Sequence, residues 1–122
     1  MAVMQSRDNR TLVAGADLSA KQFHFVKTDA AMKAVVAGAG EEAFGVLIVQ
    51  GTAGKAVTVT VMGKTMVECG ATVAIGAAVS ANAAGEAITS TVGDRIMGHA
   101  YEAGVDGQII AIELIQAGPL KL

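Results

Sequence analysis

Short apolar runs, each closed by a glycine-bearing turn, set the terms on which this chain can fold. From Phe23 onward the runs are FHFVK at 23–27, FGVLIVQ at 44–50, AVTVTVM at 56–62 and KTMVEC at 64–69. They have the lengths of strands, not helices. In the third run Val57, Val59 and Val61 alternate with Thr58 and Thr60, and period-2 spacing puts the three valines on one face of a pleated strand. Met62 and Gly63 between the third and fourth runs predict a hairpin turn.

Two further runs, RIMGHAYE at 95–102 and QIIAIELIQ at 108–116, are joined through Gly104, Val105, Asp106 and Gly107, where Asp-Gly is strong turn chemistry. The last run is apolar at nearly every position from Ile109 to Ile115, broken only by Glu113, which predicts a strand covered on both faces, in a barrel or at a subunit interface. Gly118 and Pro119 end it. The segment 29–36 (DAAMKAVV) fits a helical turn or a β-turn entering a strand. The Ala/Gly-rich stretch from Gly70 to Ser90 fits a strand pair through Val73, Ile75 and Val79, or a helical turn. Either way the class is all-β: a small antiparallel β-barrel or sandwich-like single domain. Residues 1–20 are polar and weakly periodic and read as an extended N-terminal arm; residues 21–122 form the compact β domain.

Composition bounds the function. The chain has 122 residues, enough for one core, and its 52% hydrophobic content is mainly Ala and Val among 15 glycines. Only 16% of residues are charged, below the roughly 25% usual for soluble domains, which predicts that part of the surface is covered by other subunits. The nine basic residues are scattered from Arg7 to Lys121 within a net charge of −2, and aromatics make up 3%. Neither a basic stripe nor a stacking platform for nucleic acid results. The first ten residues lack the apolar core of a secretory signal, and the uncharged stretch between Glu68 and Glu86 carries Thr72, Ser80, Asn82 and several glycines, so no membrane span is expected. One cysteine, Cys69, precludes an internal disulfide.

The chemical motifs are thin. Gly63-Lys64-Thr65 resembles the end of a phosphate-binding loop, but Thr58 stands where the first glycine is required and a strand follows where a helix is required. His24 and His99 have no ligand partners at metal-binding spacing and read as structural. Cys69 reads as buried and inert. Glu41 and Glu42 read as a solvated turn with diverging side chains, and Asp94-Arg95 as a surface pair. The expectation is a non-enzyme without cofactor or metal. One alternative is a biotin or lipoyl carrier domain, because Ala31-Met32-Lys33 is similar to the Ala-Met-Lys of that family, with Lys33 as the modified residue; Ala34 departs from the Met or Leu usual there. Another is a generic β module of a tail or adhesin assembly.

Four stretches, LVAGADLSAKQFHFVK at 12–27, AGAGEEAFGVLIV at 37–49, SANAAGEAITSTVGDRIMGHAYEAG at 80–104 and DGQIIAIELI at 106–115, follow one another in an order that resembles the capsid decoration, or cement, proteins of tailed bacteriophages. Together they span most of the domain. The resemblance implies a small β domain, commonly trimeric, seated at three-fold and quasi-three-fold positions on the outside of the head. There it clamps neighbouring major capsid proteins after synthesis in the host cytoplasm. It also implies an N-terminal arm, about Ala2 to Thr11, that reaches onto the capsid or a neighbouring subunit. Val3 and Met4 are the expected apolar anchors, with Arg7 and Arg10 for charged partners.

Overall fold

In a computed structural model, residues 5–115 are described. They contain nine strands: β1 (Gln5–Val13), β2 (Phe25–Thr28), β3 (Ala34–Val36), β4 (Gly45–Val49), β5 (Ala56–Glu68), β6 (Ala78–Ala81), β7 (Ala87–Thr89), β8 (Gly98–Ala100) and β9 (Ile109–Leu114). All pair antiparallel in one sheet, curled into a half-barrel, in the order β3-β2-β4-β5-β9-β8-β6-β7, with β1 added against β5. Among the described residues no helix is long and apolar enough to cross a membrane. The all-β class expected from the sequence is the class observed.

The centre of the sheet is β5. It pairs with β1 from Gln5↔Lys64 to Val13↔Ala56, with β4 around Leu47↔Val59, and with β9 from Gly63↔Leu114 to Glu68↔Ile109. The hairpin expected at Met62-Gly63 is therefore not formed. Gly63 has φ +104, a conformation that side-chain-bearing residues rarely adopt. The chain uses that freedom to pass through a local irregularity, opposite the register shift in β1 between Ser6 and Asp8. Burial alternates at Val57 and Val59, slips over residues 60–62 where β1 and β5 shift register, and resumes at Gly63, Thr65 and Val67. A glycine inside a period-2 pattern marks a bulge as readily as a turn, and here the pairing with β1, which continues on both sides of Gly63 through shifts of register, decides for the bulge.

Two apolar clusters form the core. One gathers Phe25, Val46, Val67, Cys69, Val73, Val79, Met97, Ile110, Ile112 and Leu114 with several alanines. The other gathers Ala14, Leu18, Val26, Ala34, Leu47, Val57 and Val59. Neighbours Phe25 and Val26 on β2, and Val46 and Leu47 on β4, go to different clusters, because successive side chains of a strand point to opposite faces. In β5 the division is along the strand: Val57 and Val59 serve one core and Val67 the other.

The two segments that the sequence leaves open are both β. Asp29 organises the β2–β3 turn, its side chain accepting from the Ala31 and Lys33 N–H groups at 2.9 and 3.0 Å. Asn82 does the same for the β6–β7 turn, accepting from Ala84 and Glu86, each at 2.9 Å. Such side-chain mimicry of a backbone turn is what Asp and Asn do best. The β8–β9 connection turns at Val105–Gln108, and in β9 Ile110, Ala111, Ile112 and Leu114 are all buried, as its apolar sequence requires.

The segment read as an arm, 1–20, needs correction from Gln5 onward. Its described part lies in the sheet: Gln5–Val13 is β1, and Ala14 and Leu18 are buried in the second core. Pairing by backbone hydrogen bonds needs no apolar face, so a polar strand such as SRDNRT escapes a reading based on periodicity.

Close strand approach gives a test of this packing. A Cβ at Gly98 would lie 2.1 Å from the Glu113 carbonyl oxygen of the neighbouring strand. Gly98→Ala is expected to cost about 1–3 kcal/mol, read as a lower urea midpoint at unchanged slope.

Candidate functional site

The exposed face around β5, β8 and β9 carries a compact group built on Tyr101, the single tyrosine of the chain. Register places Lys64 of β5 and His99 of β8 on either side of Glu113 of β9. Tyr101 follows directly on β8. Its hydroxyl donates to Glu113 Oε1 at 2.5 Å, and Lys64 Nζ sits 4.5 Å from the centre of its ring. The ring is thus clamped between a cation and an anion while remaining 47% exposed. The Gly76 N–H donates to the Ala100 carbonyl at 2.8 Å, which brings the Ala74–Ala77 turn alongside and with it Ile75, 70% exposed. A tyrosine held between a cation and an anion, with an exposed isoleucine in the turn bonded to the neighbouring strand, is chemistry suited to a protein partner.

A second group forms where the start of β2, the end of β5 and the β6–β7 turn meet. One ring nitrogen of His24 and one oxygen each of Glu68 and Glu86 lie within 4.8 Å of one another. Backbone bonds fix the junction: the Glu68 N–H donates to the Phe23 carbonyl at 2.9 Å and the Phe25 N–H to the Gly85 carbonyl at 2.6 Å. Burial, and hydrogen bonding to Glu86, push the Glu68 carboxyl above its ordinary range.

The residues singled out in the sequence are dispersed. Val3 and Met4 lie outside the described residues. Arg7 falls in β1 at the register shift, and Arg10 bonds its near neighbour Asp8 on the exposed side of the same strand. Lys33 stands exposed in the β2–β3 turn, beside Met32, which adopts a positive φ of 61°. Glu41 and Glu42 diverge as expected: Lys27 Nζ reaches Glu41 at 2.8 Å and Arg95 reaches Glu42 at 3.8 Å. Lys27, with the Gly38 N–H, holds the Glu41 carboxyl below its ordinary value. The surface pair expected between Asp94 and Arg95 does not form, because Asp94 instead accepts from the Thr91 N–H and hydroxyl, both at 2.9 Å, and closes its own turn. Cys69 is fully buried, and desolvation, reinforced by the carboxylates around it, pushes its thiol up, away from the nucleophilic thiolate.

The Tyr101 group and the His24 group were both missed in the sequence, because each joins residues far apart in the chain. Only the Tyr101–Glu113 part carries a sequence signal: it sits on two runs joined by a recognisable Asp-Gly turn, so that their pairing could have been extended to the side chains.

No protein-family model matches the chain, and no curated protein matches its sequence. A solved structure does. The fold is that of the N base of head fiber gp8.5 of bacteriophage phi29, with a TM-score of 0.71 over 94% of this chain and 97% of that one, at 16% identity. The match covers nearly the whole of both chains, so the half-barrel is shared as a complete unit and not as a fragment.

The Tyr101–Glu113 bond sets a measurable titration. The carboxylate accepts the phenolic proton and raises the Tyr101 hydroxyl above its ordinary value. A raised folded-state value means that the bond's contribution is complete below pH about 10 and is lost as pH rises through the raised value. With no tryptophan and one tyrosine in the chain, near-ultraviolet absorbance follows this group alone. Its midpoint is expected above that of the unfolded protein, and Glu113→Gln should move it back toward the ordinary value.

Proposed function

We propose that this protein is a structural subunit of a bacteriophage head, bound to the outer surface of the capsid as a decoration protein that stabilises contacts between major capsid proteins. The observation that carries the reading is the end-to-end fold match with a phage head fiber base. The sequence resemblance to capsid decoration proteins points to the same place on the virion. In this reading the protein works by association and makes or breaks no bond.

The assembly is a homotrimer at three-fold and quasi-three-fold positions of the shell. Three copies acting together turn modest individual contacts into a durable clamp, since each contact after the first forms at high effective concentration. The face around Tyr101 and Ile75 supplies the aromatic and aliphatic anchors such contacts need. The N-terminal residues Val3 and Met4 add a second contact, with Arg7 for charged partners, since Arg10 is already bonded to Asp8. As β1 belongs to the sheet, that contact is tested by shortening the chain before Gln5 and not by removing the strand.

Two measurements test the proposal. Electron microscopy of particles from phage with and without this gene should show protrusions at local three-fold axes that disappear with the gene; identical particles refute the head-surface role. In a binding assay with purified capsids, Tyr101→Ala is expected to weaken occupancy at least tenfold, the effect of losing an interface hot spot of about 2 kcal/mol, while removal of residues 2–4 leaves a folded protein with lower occupancy. Full occupancy by both variants would remove these surfaces from the mechanism, and a monomer by light scattering, free and on the capsid, would remove the trimer.

A further inference from the structure

The group formed by His24, Glu68 and Glu86 offers more than polar packing. Its donors come from three separate parts of the fold: the residue before β2, the last residue of β5 and the turn joining β6 to β7. His24 is the fixed point. It is 5% exposed, and its Nδ1 lies 3.1 Å from the Gln22 carbonyl. That carbonyl can only accept, so Nδ1 is the donor in this contact and Nε2 is the ring nitrogen left to face a ligand. Among the described residues nothing hydrogen-bonds Nε2. A buried imidazole oriented by a backbone carbonyl at one nitrogen, with the other nitrogen turned to a ligand, is how proteins position a metal-binding histidine.

Glu86 is oriented in the same manner. Asn82 Nδ2 donates to Glu86 Oε1 at 3.2 Å, while Asn82 Oδ1 holds the turn that carries Glu86. One oxygen of the pair is thus positioned by a neutral amide and not neutralised by a cation. Two carboxylates and one imidazole, converging from three parts of the fold, make a donor set that suits a divalent ion.

We propose that His24, Glu68 and Glu86 bind a divalent transition-metal ion of the zinc class. One nitrogen and two carboxylate donors suit such an ion, whereas calcium and magnesium favour all-oxygen sites. Donors bound at about 2.1 Å in a tetrahedral site stand about 3.4 Å apart. Reaching that from a spread of up to 4.8 Å takes only rotation of the two half-buried glutamates toward the fixed ring. Three protein donors leave a fourth position for water or for a side chain of another subunit. The ion would tie β2, β5 and the β6–β7 turn together, a cross-link across the half-barrel where the sheet itself supplies no ladder between β2 and β6 or β7. Lys21, whose charge is felt at Glu68, is the cation that competes with it.

The site stands independently of the head-surface role and is tested without capsids. Zinc chloride alone is titrated into the full-length, chelator-treated protein at neutral pH, followed by calorimetry and thermal unfolding. The expected result is one ion per chain and a rise in Tm of about 10 °C when free zinc exceeds Kd a hundredfold. The variant Glu68→Gln with Glu86→Gln, with folding checked by circular dichroism, should lose affinity by more than tenfold. Zinc-edge X-ray absorption of the loaded wild-type protein, which needs no variant, should show one nitrogen and two carboxylate oxygens at about 2.0–2.2 Å. No heat and no shift in Tm with the wild-type chain, undiminished affinity in the double variant, an equal response to magnesium or calcium, or a coordination shell without histidine would each overturn the proposal.

Discussion

The fold depends on β5 remaining one strand through Gly63. Its first half packs Val57 and Val59 into one core and pairs with β1 and β4; its second half packs Val67 into the other core and pairs with β9. Were the chain to reverse at Gly63, the two cores would lose their common strand and β1 its partner. Gly63 makes the passage possible because a backbone at φ +104 is strained for any residue with a side chain. The half-barrel is therefore two small cores joined through a continuous ribbon.

Small residues set the thickness of that ribbon. Much of the first core is alanine, and a glycine, Gly98, lets β8 lie against β9 where no Cβ would fit. Strands so thin can be covered on both faces within a short chain, as β2 and β4 are. The cost falls at the surface, where turns carry Ile75, Val92 and Val105 largely exposed. Surface of this kind is at home in an assembly, and the proposed place on a phage head gives it partners.

The two polar groups differ in how far the sequence announces them. Tyr101 and Glu113 lie on consecutive strands of a hairpin with a clear Asp-Gly turn, so their neighbourhood is a short inference from local pattern. His24, Glu68 and Glu86 meet only after β5 has crossed the sheet and the β6–β7 turn has come back to β2. Nothing in their spacing marks them, and His24 in the sequence looks like one more residue of a strand. Arg10, by contrast, looks available in the sequence and is bonded to Asp8 in the fold.

What the sequence determined by itself is the class and most of the strands, because alternation and turn chemistry are local: the valines of 56–62, the Asp-Gly before the last strand and its run of isoleucines each act within a few residues. The polar strand β1, the continuity of β5 through its glycine and the meeting of the histidine with two carboxylates were decided only in tertiary structure. Backbone pairing carries no side-chain signature, a glycine permits a bulge as readily as a turn, and which donors converge depends on the order in which strands pair across the sheet.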